Sequence, residues 1–227
     1  MKIGSLSDLR SALLTSAALP IRDLEFEIPK PGEDASRDEH VEAELLLVFQ
    51  RLNDRPTTTD SRMYPAEVLL MISTRLHATE SPRAQVGWYW FCTYLFEIQG
   101  GYKQAPVSEL GSEGLKERQR NALKSTLAFK AAGDEEMTLL VWSVAAVNES
   151  MIVSPQNPPP QDGAALTQVL GEVLSNFELL TTKYAEATAD GKTISKALET
   201  RCQAGLQIID GLLQTIRGLI RTMIPQR

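Results

Sequence analysis

From Leu166 onward the apolar residues of this chain return every three or four positions, and that spacing constrains the backbone more than any other feature. Leu166, Leu170, Val173, Phe177, Leu180 and Tyr184 form the first run. After Ala189-Asp190-Gly191 the series resumes as Leu198, Cys202, Leu206, Ile209, Leu213, Ile216, Ile220 and Met223. A repeat near three and a half residues lines one side of an α-helix. The sequence therefore predicts two helices, about 163–187 and 193–224, joined by a short turn and packed antiparallel along their apolar seams.

Upstream lies SPQNPPPQDG (154–163), whose three consecutive prolines stiffen the chain into an extended spacer. The predicted organisation is a mixed domain over 1–152, a Pro-rich linker over 153–162 and a helical hairpin over 163–227.

Before that break the pattern reads differently. Ser5 and Asp8 resemble a capping box, so a short helix is expected over 5–19, ended by Pro20. Leu24, Phe26 and Ile28 alternate with acids, as in a half-buried strand. PKPGEDASRDEH (29–40) reads as a polar loop. Val41, Ala43, Leu45, Leu47 and Phe49 also alternate, which favours a strand over a buried helix. NDRPTTTD (53–60) is turn-rich, and Tyr64-Pro65 opens a helix to about His77. AQVGWYWFCTYLFEI (84–98) is rich in aromatics and reads as a buried strand, followed by an exposed loop over 104–114. LKSTLAFKA and EMTLLVWSVAAV flank Ala132-Gly133-Asp134-Glu135, the pattern of a β-hairpin. The fold class expected for the first domain is thus α+β, with a mostly antiparallel sheet.

Composition excludes more than it selects. A net charge of −6 argues against direct nucleic-acid binding, which needs a basic face. The charge is uneven. Nine acids face three bases between Arg22 and Glu44, whereas six bases face two acids from Gly191 to Arg227. That asymmetry suggests two surfaces with different jobs, such as one subunit docking on another. Cys92 and Cys202 lie in apolar runs and read as buried thiols of a reducing compartment. Asp8 and Arg10 interrupt any signal-peptide core, and no window approaches eighteen uncharged apolar residues, so neither secretion nor a membrane span is expected. The expected location is cytoplasmic.

No motif of catalysis appears. His40 and His77 have no partner at ligand spacing, and nucleophile-elbow, phosphate-loop and dinucleotide patterns do not occur. The expectation is no catalytic residue, no metal and no cofactor. The acids Glu33, Asp34, Asp38, Glu39, Glu42 and Glu44 read as a solvated surface rather than a cation site. Trp88, Trp90 and Trp142 read as core rather than a ligand platform.

One feature needs a partner. The last helix carries a second apolar row, Ile208, Leu212 and Leu219, flanked by Arg217 and Arg221. Gly205, Gly211 and Gly218 each cost about 1 kcal/mol in a helix interior, which points to close approach by something. Three occupants fit: the first domain of the same chain, a second copy, or a membrane surface met by Arg217, Arg221 and Arg227.

The layout EAELLLVFQRLNDRP (42–56), YPAEVLLMISTRLH (64–77), VGWYWFCTYLFEI (86–98), APVSELGSEG (105–114) and the hairpin 123–147 resembles that of rhabdovirus matrix proteins. In that family a strand, a turn, a helix, an apolar segment, an exposed loop and a β-hairpin occur in this order. The resemblance implies a non-catalytic structural protein of the virion or host cytoplasm that self-associates and contacts nucleocapsid or membrane. The chain departs from the family in its acidic N-terminus, in lacking tyrosine after Pro158-Pro159-Pro160, and in its C-terminal helical hairpin. Two rival readings stand beside it: a bacterial or phage adaptor that binds a protein through the hairpin, and a small-molecule enzyme built on the aromatic segment.

Overall fold

The computed structural model describes residues 1–16, 24–53, 63–76, 81–98, 107–153 and 162–223. Among the described residues the chain is almost entirely helical, and the expected α+β domain is not there. The order is β1 (Lys2–Ile3), α1 (Leu6–Thr15), β2 (Glu25–Phe26), α2 (Arg37–Asn53), α3 (Met63–Leu76), α4 (Arg83–Ile98), α5 (Val107–Ala131), α6 (Glu135–Val153), α7 (Gly163–Thr188) and α8 (Lys196–Met223). Two compact units divide between Val141 and Trp142, inside α6. The Pro-rich segment at 154–161 lies outside the described residues.

Four expected strands are helices: those at 41–52 and 84–98 and the two of the hairpin, 123–131 and 136–147. The strand at 41–52 belongs to α2, which buries Val41, Leu45, Val48, Phe49 and Leu52 on one side and Ala43 and Leu46 besides. Enough of its face is covered that the apolar residues also satisfy a period of two. Ser36 and Glu39 start this helix as a capping box. The Glu39 carboxylate accepts from the Ser36 N–H and hydroxyl, both at 2.7 Å, and the Ser36 hydroxyl accepts from the Glu39 N–H at 3.3 Å. The aromatic segment is α4. Trp88 and Phe91 cluster with Phe49, while Trp88 meets Phe129 edge-on at 5.4 Å.

The tight turn at 132–135 is present but joins helices. Gly133 adopts φ 78°, the Asp134 N–H reaches the Phe129 carbonyl and the Gly133 N–H the Lys130 carbonyl. This is a Schellman end to α5. The Asp134 carboxylate then caps α6 by accepting from the Met137 N–H at 3.1 Å. It also takes a two-pronged ion pair from Arg10, at 2.7 and 2.8 Å. α6 buries residues on every face from Met137 to Ala146, and so shows no helical stripe. It is long and apolar enough to cross a membrane, yet 61% of that window is buried inside the protein, as in a core helix.

β2 is what remains of the strand expected at 23–28. It pairs with β1 in parallel, with Lys2 opposite Glu25 and Ile3 opposite Phe26. The expected loop at 104–114 enters α5 at Val107, its first three residues lying outside the described part. The helix expected at 5–19 begins as α1, capped by the Ser5 hydroxyl, but ends at Thr15 with Ser16 extended, 17–19 lying outside the described residues, and Met63–Leu76 is α3.

In the first unit α4 lies against α5 and α2 against α3 and α4. Close approach of α4 and α5 depends on Gly87. A Cβ there would sit 3.0 Å from the Phe129 ring, and the Ser125 hydroxyl donates to the Gly87 carbonyl at 2.8 Å. The second unit combines the end of α6 with α7 and α8.

Candidate association surface

The α7–α8 pair is built as its spacing predicts. Asp162 caps α7 through the Ala164 N–H at 2.9 Å, and Gly191 turns the chain with φ 73°. Ser195 caps α8 through the Leu198 N–H at 3.3 Å. The seam is unequal. Leu166, Val173 and Leu180 of α7 are buried, seven residues apart, while Leu170, Phe177 and Tyr184 are half-buried. On α8 Leu198, Cys202, Ile209, Leu213 and Ile216 are buried, Leu206 and Ile220 half-buried.

The end of α6 lies against this pair. A Cβ on Gly205 would stand 3.0 Å from a Val147 methyl and 3.4 Å from Leu180, and Asn176 donates to the Ser150 hydroxyl at 3.2 Å. These contacts set α6 parallel to α8 and antiparallel to α7. From Gly205 to Met223 α8 rises about 27 Å, whereas α6 rises only about 9 Å from Val147 to its end. Within the second unit the last ~18 Å of α8, from Gly211 onward, thus extends past the end of α6.

Leu212 and Leu219 fall on that stretch, and Ile208 lies just before it, level with the last turn of α6. Ile208 is 46% exposed and Leu212 and Leu219 are half-buried. Gly211 and Gly218 lie further round the same helix, and a Cβ on either meets nothing within 4 Å. Among the described residues close packing accounts for Gly205 and for neither of the other two. Arg217 and Arg221 are exposed. Arg227 lies outside the described residues.

The sequence groups Arg201 with the surface charges of α8, yet the fold buries it. Burial lowers its guanidinium to about 10 and raises the neighbouring Cys202 thiol to about 11. Two acids of α7 make bonds along their own helix: Glu172 accepts from Gln168 at 3.1 Å, and Glu186 pairs with Lys183 at 2.8 Å. Across the pair, the Tyr184 hydroxyl donates to Glu199 at 3.2 Å.

The acidic segment near the N-terminus has structural work. Glu39 belongs to the α2 cap, Glu42 accepts from the Leu6 N–H at 2.7 Å, and Glu44 pairs with Arg75. Among the described residues no group of three or more His, Cys, Asp or Glu side chains converges as a metal site would require. Of the tryptophans, Trp88 is core, whereas Trp90 is half-exposed beneath Lys124, whose ammonium stands 4.0 Å from the ring centre. The Ser36–Glu39 spacing is legible as a helix start and identifies α2.

Comparison with protein-family models, with curated proteins and with solved structures finds no match. The element order behind the matrix-protein resemblance needs a strand at 42–52 and a β-hairpin at 123–147. Helices occupy both places, so the resemblance lends no support to a function for this chain.

Proposed function

We propose that this chain is a non-catalytic assembly protein that associates with a second copy through the outer flank of α8. One observation carries the reading. The apolar row that starts at Ile208 runs on past the end of α6 with Leu212 and Leu219, beside Gly211 and Gly218, whose outer sides meet nothing within 4 Å. A soluble helix with charges spread over its outer face needs no neighbour. This one sets leucine, isoleucine and glycine there, and an apolar flank gains by leaving water. A two-fold pairing would bring the same flank from each copy together.

The test is the molar mass of the full chain by light scattering at about 1 M salt, where charged contacts are screened, before and after Leu212→Glu with Leu219→Glu. Burying four carboxylates per pair costs several kcal/mol, so the variant should stay folded and fall to one chain of 25.1 kDa. A wild-type chain that is already monomeric overturns self-association and turns the surface toward a different protein. Loss of the helical signal in the variant assigns the flank to packing within the chain.

A further inference from the structure

A second surface, on the first unit, has the opposite character to the acidic stretch of the same unit. From Arg118 to Ala131 α5 carries Arg118, Arg120, Lys124 and Lys130 and no acid, in a chain of net charge −6. Arg120, Lys124 and Lys130 are exposed, and between them Leu123 and Leu127 are 42% and 57% exposed. Lys124 rests on Trp90, which with Tyr89 extends the face onto α4. Its nearest acid on α4, Glu97, accepts from the Asn121 side chain on the inner side of the helix. The face is therefore cationic at its rim and apolar at its centre.

The complementary pattern lies at 24–34. Glu25, Glu27, Glu33 and Asp34 are exposed, while Leu24, Phe26 and Ile28 alternate with them and are half-buried. Glu27 already pairs with the exposed Lys2, and an exposed pair of that kind exchanges readily for another cation. Both surfaces are exposed in the folded unit, so neither covers the other. We propose that the outer face of α5 docks on the 24–34 segment of a second copy, giving a head-to-tail contact between unlike faces. Lys124 and Lys130 meet the exposed acids on the outer side of the segment, and Leu123 and Leu127 pack over the backbone and side-chain stems between those acids. An interface of unlike faces leaves one face open at each end, so it extends into rings or filaments rather than stopping at two. The contact stands on α4, α5 and β2 and is independent of the α8 flank.

Salt separates the two. Screening shortens from about 10 Å at 0.1 M to about 3 Å at 1 M, which weakens the charged contact and leaves an apolar one in place. Light scattering on the full chain should show a mass at the lower salt that falls by about half or more at the higher. Lys124→Glu with Lys130→Glu, and separately Glu33→Lys with Asp34→Lys, should each give the high-salt mass at low salt. Mixing the two variants should restore a heterodimer, because each retains the face the other lacks. A wild-type mass that ignores salt, or a mixture that fails to pair, overturns the proposal. So does a salt-independent mass combined with binding to phosphatidylserine vesicles that the lysine variant loses, which assigns the face to lipid.

Discussion

In the first unit α2 buries seven side chains over seventeen residues, whereas α7 in the second buries three over twenty-six, all on one line. The difference is the number of neighbours. α2 meets α1, α3 and α4, while α7 has α8 as its long partner and meets α6 through Asn176. A helix covered on several sides spends its apolar residues inward in many directions and leans on burial for stability. A helix covered on one side has a legible stripe, a wide exposed remainder and less energy stored per residue. The first unit should therefore be the more sensitive to loss of a side chain, and the second the more available to partners.

The largest expected effect tests that contrast with matched substitutions. Phe91 is fully buried against Phe49 and Trp88, and Phe91→Ala should cost about 3–5 kcal/mol. Phe177 is half-buried, and Phe177→Ala should cost about 1–2 kcal/mol. Denaturant unfolding gives the totals, and the two cysteines say which unit has opened. Cys92 and Cys202 are buried, one in each unit, and burial pushes both thiols up, so they label only on exposure. Phe91→Ala should speed labelling of Cys92, and Phe177→Ala that of Cys202. Equal costs for the two substitutions would break the contrast.

Glycines sharpen it at smaller magnitude. Gly87→Ala places a methyl 3.0 Å from the Phe129 ring and should cost about 1–3 kcal/mol. Gly211→Ala and Gly218→Ala fill open space on α8 and should each gain about 1 kcal/mol in dilute monomer. If the α8 flank meets a second copy, the same two changes should weaken association while raising the melting temperature. A Gly218→Ala chain that melts lower at every concentration would mean the space outside that residue is occupied within one chain.

The same difference in coverage explains what could be read in advance. Where one side is buried, at α1, α7 and α8, helical spacing survives in the sequence and the elements can be read from it. In α4 the helical spacing of Trp88, Phe91, Cys92 and Phe96 is masked because Tyr89, Trp90, Tyr94 and Leu95 fill the positions between them. In α6 the unbroken run Leu139, Leu140 and Val141 carries no period to distinguish helix from strand. Length is the better guide, since apolar stretches of twelve or more residues suit helices and exceed most strands. The turn at Gly133-Asp134 is legible as a turn, but its two roles, helix end and helix cap, depend on neighbours the dipeptide does not specify. At the candidate surface Ile208, Leu212 and Leu219 are legible because they break an otherwise regular seam. That α6 ends beside the middle of α8 is not, because it depends on the register set by Gly205 and Val147. The burial of Arg201 is hidden for a related reason: nothing in its local sequence separates it from Arg217 and Arg221.

The smallest expected effect concerns acid. In the first unit two helix starts use carboxylates that are held below their usual range. Asp8 is held below the usual range by its bond with the Ser5 side chain and by the Gly4 N–H, and Glu39 by the Ser36 hydroxyl and then the Ser36 N–H. A carboxylate with a lowered folded value stabilises the fold above its unfolded value, and that contribution is lost as pH falls through the folded one. The ordinary values are 3.8 and 4.5, so the loss should begin near there and run to lower pH. α8 begins instead on the Ser195 hydroxyl, which does not titrate in this range. Amide hydrogen exchange between neutral pH and about pH 3, corrected for the intrinsic rate, should show the first turns of α1 and α2 losing protection while that of α8 keeps it. Asp8→Asn and Glu39→Gln should remove the pH dependence at their own helix and leave the other unchanged. Equal loss at all three helix starts would put the acid sensitivity in the whole fold rather than in these two caps.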